Sequence, residues 1–179
     1  MKIIKFKLKT LLLAALCLLF ISTESISAKD SGNLSKFKAA TILKMVKYID
    51  LDDSTEKKFC VSGDKKIYEL LDNFVKSSED FSKTSIINIK SSTKLPLCDF
   101  IYLSKNNKKK ASKSMGHISN FSKSIVTISD SENFIKNRGG IIELYEKNGR
   151  LRYSLNLKKA KSQDIRINSK LIETADRIY

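Results

Sequence analysis

The chain predicts an α/β fold with a mainly parallel, doubly wound-like sheet flanked by helices and an antiparallel hairpin at its C-terminal edge. Three observations predict it. Short apolar runs alternate with amphipathic stretches between residues 37 and 137, which is the pattern of strands joined by crossover helices. Two alternating runs, 140–145 and 150–157, then flank Lys147-Asn148-Gly149, and Asn-Gly marks a hairpin because both central residues tolerate positive φ. No internal repeat and no linker rich in glycine and proline divides the chain, which holds six glycines and one proline, so a single domain is expected.

The first residues read as a secretory signal. Lys2, Lys5, Lys7 and Lys9 precede an apolar run from Leu11 to Ile21, and Ser22 to Ala28 is a small, polar cleavage region. The cut is expected after Ala28, with Ser27 as the alternative. An uncleaved anchor is disfavoured, because the apolar run is shorter than the ~20 residues a membrane-spanning helix needs. Cys17 lies inside this run behind Leu16, where lipoprotein processing requires a small side chain. The expected organisation is a cleavable signal peptide over 1–28 and one α/β domain over 29–179, with no stable membrane insertion after cleavage.

Lys29 to Asn33 reads as a short flexible lead. From Ser35, apolar residues Phe37, Ala40, Ile42, Leu43, Val46, Tyr48 and Ile49 recur near helical spacing, predicting an amphipathic helix that ends near Asp50, with Asp52-Asp53-Ser54 as its exit loop. Phe59-Cys60-Val61 is a short buried strand running into the turn Ser62-Gly63-Asp64. Ile67, Leu70, Leu71, Phe74 and Val75 form the apolar face of a helix. Thr84–Ile89 and Asp99–Leu103 are strands, and Leu95-Pro96-Leu97-Cys98 between them is a loop whose proline blocks helix. Lys105–Ser114 opens an exposed helix, Ser124–Ile128 is a strand and Ser131–Asn137 a short helix. After the hairpin, Leu171, Ile172, Ala175 and Ile178 return to helical spacing over 168–178, with Asn168 or Ser169 as the cap.

Composition bounds the partners. Residues 1–28 hold four lysines and one glutamate of a chain whose net charge is +15, leaving 151 residues at +12. Lysine dominates and is scattered, so the charge is read as a solvated surface that modifies encounter, with nucleic acid not a partner after export. The run Lys105, Lys108, Lys109, Lys110, Lys113 has little aromatic interleaving and is read as a solvated face. With the signal removed, three cysteines become two, Cys60 and Cys98, an even number in an oxidising compartment. A disulfide between them requires their strands to lie close, which a doubly wound order allows.

Chemistry is sparse. The single histidine, His117, has no nucleophile motif to serve, and no metal, cofactor or catalytic residue is expected. Ser62-Gly63-Asp64 stands where a dinucleotide fold carries GxGxxG, but one glycine makes an ordinary turn. Gly139-Gly140 precedes a strand and reads as a turn of unusual φ, and Glu143 and Glu146 are expected in solvent.

The order of these motifs resembles the YfiR family of periplasmic regulators, from about Phe37 to Tyr179. The opening helix 38–49 is similar to the family's first helix, although Ile49-Asp50 replaces its aromatic-proline end. Phe59-Cys60-Val61-Ser62-Gly63-Asp64 and Leu97-Cys98-Asp99-Phe100-Ile101-Tyr102-Leu103 resemble its first strand and its cysteine–acid–strand segment. Val126-Thr127-Ile128-Ser129-Asp130, Phe134, Gly139-Gly140-Ile141-Ile142, Leu151–Leu157 and Ile165–Leu171 follow the order of its C-terminal signature. The resemblance implies a periplasmic, non-enzymatic homodimer. It implies binding and repression of an inner-membrane diguanylate cyclase through that enzyme's periplasmic part, or of a similar sensor protein, so that cyclic di-GMP and biofilm behaviour respond. It also matches Cys60 and Cys98 to one of two family disulfides, whereas cysteines for the second, around 139–152, are absent. A different class of function is a periplasmic small-ligand module, with the ligand at the strand ends around Ser62-Gly63-Asp64 and Ser104.

Overall fold

The computed structural model describes residues 26–51, 56–90, 98–118 and 124–179. The elements in chain order are α1 (Ile26–Lys47), β1 (Ile49–Asp50), β2 (Lys57–Ser62), α2 (Lys65–Lys76), β3 (Thr84–Ile89), β4 (Phe100–Leu103), α3 (Lys108–Ile118), β5 (Val126–Ser129), α4 (Phe134–Arg138), β6 (Ile142–Lys147), β7 (Arg150–Leu155), α5 (Leu157–Lys161), β8 (Arg166–Ile167), α6 (Ser169–Glu173) and β9 (Arg177–Ile178). Short 3-10 turns occupy Glu79–Phe81 and Lys105–Asn107. Residues 35–179 form one compact unit.

Seven strands make one sheet in the order β3-β2-β4-β5-β6-β7-β9. The first five are mutually parallel, and β7 runs against β6. Side chains alternate across it. Phe59, Val61, Phe100, Tyr102, Val126 and Ile128 meet Ile42, Met45 and Val46 of α1 and Ile67 and Leu71 of α2 on one face. Cys60, Ile101 and Leu103 meet Ile118 at the end of α3 and Phe134 of α4 on the other. This is the predicted mainly parallel sheet between helices. The chain enters at β2, steps out to β3, returns beside β2 as β4 and continues the other way, so the direction reverses between β2 and β4.

Cys60 and Cys98 are joined by a disulfide with a Cα–Cα distance of 5.9 Å. It lies on the second face, where both cysteines are buried with Ile101 and Leu103. Beside it the Asp99 carboxylate, only 1% exposed, accepts the Lys58 amide at 2.7 Å, and the Asp99 amide donates to the Lys58 carbonyl at 2.9 Å. The β2–β4 ladder is thereby carried one residue past the strand.

The ends of the chain depart most from the sequence reading. Residues 29–33 are helical and belong to α1. That helix stops at Lys47, and Ile49-Asp50 pairs instead with Ile167 and Arg166 of β8. The Lys57 ammonium donates to the carbonyls of Val46, in the last turn of α1, and Ile49, in β1, at 3.1 and 3.3 Å. The single helix expected over 168–178 is only α6. Asn168 caps it through a 3.0 Å bond from the Lys170 amide, and after Thr174 the chain extends into β9. There Ile178 pairs with Leu155, so β9, not the hairpin, forms the sheet edge. The sequence pattern does not predict α5 or β8. The segments Asp52-Asp53-Ser54 and Leu95-Pro96-Leu97 lie outside the described residues.

The hairpin turns as expected, with Asn148 and Gly149 at φ 53° and 68°. Gly139 ends α4 at φ 63°, but Gly140 is needed for another reason. A Cβ there would stand 2.0 Å from the Phe134 ring. Glu143, expected in solvent, accepts the Asn133 and Ile135 amides at 3.0 and 3.1 Å and covers the start of α4.

β9 is held by Asp176. Its amide donates to the Tyr153 carbonyl, and its carboxylate accepts the Tyr145 hydroxyl at 2.6 Å and the Lys147 ammonium at 2.9 Å. The phenol first, and the ammonium after it, hold this carboxyl below its ordinary 3.8. A carboxyl whose pKa is lower in the fold than in the unfolded chain stabilises the fold above the unfolded value and loses that contribution as pH falls through the folded one.

Three outcomes follow from this packing. Gly140→Ala is expected to cost about 3 kcal/mol in urea unfolding, because a ring packed in a dense core cannot move aside. Cys60→Ser is expected to lower stability by about 3 kcal/mol, and reductant to lower the wild-type melting temperature but not the variant's. The Asp176 carboxyl resonance should titrate below 3.8. Protection of the amides at 177–179 should fall through the same midpoint, and Lys147→Ala should move it upward.

Candidate functional site

The strand ends at the point of reversal are the first place to look, since crevices there hold ligands in many open α/β sheets. The structure does bring Ser62, Gly63, Asp64 and Ser104 together, but the side chains of Asp64 and Ser104 are engaged internally and the Ser62 hydroxyl is buried without a partner. Asp64 caps α2 by accepting the Ile67 amide at 3.0 Å, and the Ser104 hydroxyl lies 3.5 Å from its other oxygen. Ser62 and Ser104 are buried. Asn107 packs so closely that a Cβ on Gly63 would be 3.0 Å from its own Cβ. Asp130, from the next strand, is paired with Lys38 of α1 at 2.6 Å and accepts the Lys105 amide at 2.8 Å. Beneath them the Tyr102 hydroxyl is fully buried and has no hydrogen-bond partner of normal geometry. Burial first, and the nearby Asp130 after it, push its pKa far upward, so the phenol stays protonated. The reversal point is thus a packed polar joint, which counts against the alternative of a ligand held at these strand ends.

A larger opening lies where α1, β7 and α6 converge. It is a cavity of about 470 Å³. Its floor is made of the buried side chains Met45, Tyr153 and Leu171. Lys44, Arg152 and Lys170 stand around it with one acid, Glu173. Thr41 and Lys44 lie three residues apart on one stripe of α1, and Tyr48 follows just past the helix end. The Tyr153 hydroxyl donates to the Leu171 carbonyl at 2.7 Å and also contacts the Thr174 hydroxyl, tying β7 to α6 and fixing the floor. Burial raises the pKa of this phenol. Three cations over an apolar floor suit an anionic group that carries some apolar surface. A smaller cavity of about 210 Å³ between α1 and the start of β3 is occupied with internal work, because Lys57 covers the Val46 carbonyl and Lys47 pairs with Asp80.

Sequence reasoning did not find the larger cavity. Its lining comes from the opening helix and the C-terminal signature, segments singled out above, but nothing in their spacing says that they meet. His117 falls in α3, and its side chain lies outside the described residues. Glu146 is exposed. Among the described residues no group of three His, Cys, Asp or Glu side chains is arranged to hold a metal ion, and no helix is long and apolar enough to cross a membrane.

No curated protein matches the sequence. Among solved structures, a conserved domain protein from Vibrio cholerae O1 biovar eltor is similar at a TM-score of 0.55 and 14% identity, over 81% of this chain and 60% of that one. An ABC domain from Streptococcus pneumonia, solved in complex with L-Trp, is similar at a TM-score of 0.50 and 9% identity, over 81% of this chain and 62% of its own. The chain thus spans about 60% of the length of the first. At such identities the likeness is one of fold. The family model described as YfiR/HmsC-like matches residues 35–176, from α1 through β1 to β8 and α6 as far as Asp176. By that span, the chain belongs to the YfiR/HmsC-like family.

Proposed function

We propose that this protein is a periplasmic regulator that acts by contact, not by catalysis. After removal of residues 1–28, residues 29–179 bind the periplasmic part of an inner-membrane diguanylate cyclase as a homodimer. Binding represses the enzyme, lowers cyclic di-GMP and restrains biofilm formation. The observation that carries this reading is the family match across 35–176. The export signal and a buried disulfide, which belongs to oxidising compartments, support it. The cation-rimmed cavity between α1, β7 and α6 is the contact we assign to the partner. It is assembled from the family's own segments, and its charge suits an acidic side chain on the cyclase. Redox control through a second bridge is not part of the proposal, since 139–152 contains no cysteine.

A second reading is a small-ligand sensor, favoured by the size of the same cavity, about 470 Å³ and within the ~300–1,000 Å³ typical of ligand sites. One protein of similar fold was solved with L-Trp. Cross-linking the tagged chain in its own cells separates the readings. A diguanylate cyclase in the eluate is expected, and Lys44→Glu with Arg152→Glu should reduce its capture about tenfold without changing the melting temperature. An eluate holding only the chain itself, with thermal stabilisation by a small carboxylate, would favour the sensor.

A further inference from the structure

The edge strand β3 is unusually unguarded. It pairs with β2 alone, and among the described residues nothing pairs with the outer side of Thr84–Asn88. Free strand edges are normally protected by charge, proline, a bulge or short length. Thr84-Ser85-Ile86-Ile87-Asn88-Ile89 has six residues and neither a charged side chain nor a proline. Ile86 turns to the α1/α2 face and Ile87 to the disulfide face, and both are only half-buried. α2 packs mainly over this strand, and its Leu70, Phe74 and Val75 are also half-buried.

Charge indicates what could approach such an edge. The whole chain is +15, yet residues 64–89, which hold α2 and β3, contain four lysines and five acids and sum to −1. On α2 itself Lys65 pairs with Glu69, and Lys76 with Asp72. Two copies of a strongly basic chain repel across most of their surface. They meet with less of that penalty on a neutral region, and residues 64–89 are one such region, containing the open side of Thr84–Asn88.

We propose that β3 is the surface through which two copies of this chain associate, by antiparallel pairing of β3 with β3 about a two-fold axis near Ile86 and Ile87. Such pairing is isologous, so each strand meets its own uncharged sequence. With the axis perpendicular to the sheet, Ile86 stays on the α2 face in both copies, and α2 of one copy stands beside α2 of the other. Leu70 and Phe74 then face their counterparts, which gives the strand pair an apolar flank. A single extended peptide from another protein would fill the strand edge and leave that flank uncovered. The inference rests on the homodimer in the proposed function, to which it gives an interface.

Sedimentation of the exported chain over a range of concentrations, combined with amide hydrogen exchange, tests it. The wild type should dimerise, and amides of Thr84–Asn88 that point away from β2 should gain protection as the dimer forms. Ser85→Lys with Asn88→Lys should weaken dimerisation at least about tenfold, since each copy would bring two positive charges to the shared strand edge. Ile178→Lys, at the opposite edge, should leave it unchanged. Intact β2–β4 amide protection in the double variant shows that the fold has survived. A dimer that persists in the double variant, or one whose β3 amides exchange freely, overturns the interface and leaves the homodimer standing. A monomer at all concentrations overturns both. Protection of β3 that appears only when the cyclase's periplasmic domain is added overturns it in favour of strand addition by that partner.

Discussion

The pairing of β2 with β4 is the joint on which the rest of the structure depends. These strands are distant in sequence and adjacent in space, and three independent contacts hold them. On one face the rings of Phe59 and Phe100 stack, with centroids 6.0 Å apart and planes within 8°. On the other face Cys60 and Cys98 are bonded. At the rim the Asp99 carboxylate takes an amide from Lys58. With both faces and one end fixed, β3 attaches on one side and β5 to β9 extend from the other. The same pair anchors α1. Lys57, at the start of β2, reaches the Val46 carbonyl at that helix's end and also stands over the Phe100 ring.

The cation-rimmed cavity is a consequence of that anchoring taken further along the chain. α1 is set over the sheet by its own apolar stripe and stopped by the small β1–β8 ladder, which leaves Lys44 and Tyr48 facing β7. α6 is brought in by Tyr153, whose hydroxyl reaches from the sheet to the helix's last turn. None of these contacts is chemically active. Together they build a buried apolar floor beneath lysine and arginine side chains, an arrangement suited to recognition. The polar joint at the strand reversal has the opposite character, since its acids are already paired or capping and its tyrosine is sealed beneath them.

The strands were legible in the sequence because each is a short apolar run between turn residues, and in a parallel sheet buried on both faces that pattern has few competitors. The hairpin was legible because Asn148-Gly149 can hardly do anything else between two alternating runs. The C-terminal end misled for a physical reason. Leu171, Ile172, Ala175 and Ile178 satisfy helical spacing, but hydrogen bonds to Tyr153 and Leu155 draw the last residues into the sheet, and tertiary pairing outweighs local periodicity there. Gly140 gave a similar false hint, since its need is space for Phe134 and not a rare φ. The cavity was illegible because its three walls are joined by packing and by hydrogen bonds between residues far apart in the chain, such as Tyr153 to Leu171 and Asn168 to Tyr48. The tie between Lys38 and Asp130 spans 92 positions that no local pattern connects.

Tyr179 has a structural task of its own. The Tyr179 carbonyl accepts the amides of Leu157 and Lys158, the opening residues of α5, and its neighbours Arg177 and Ile178 lie along β7. A polypeptide is made and threaded from its amino end. The groups that finish this sheet edge are therefore the last of these residues to emerge, and a helix begun at Leu157 waits for them. Closure of this edge therefore waits until residues 177–179 are available to pair with β7 and α5. Until then β7 offers a second open edge beside β3, and the newly made protein passes through an interval in which both sides of its sheet are unprotected.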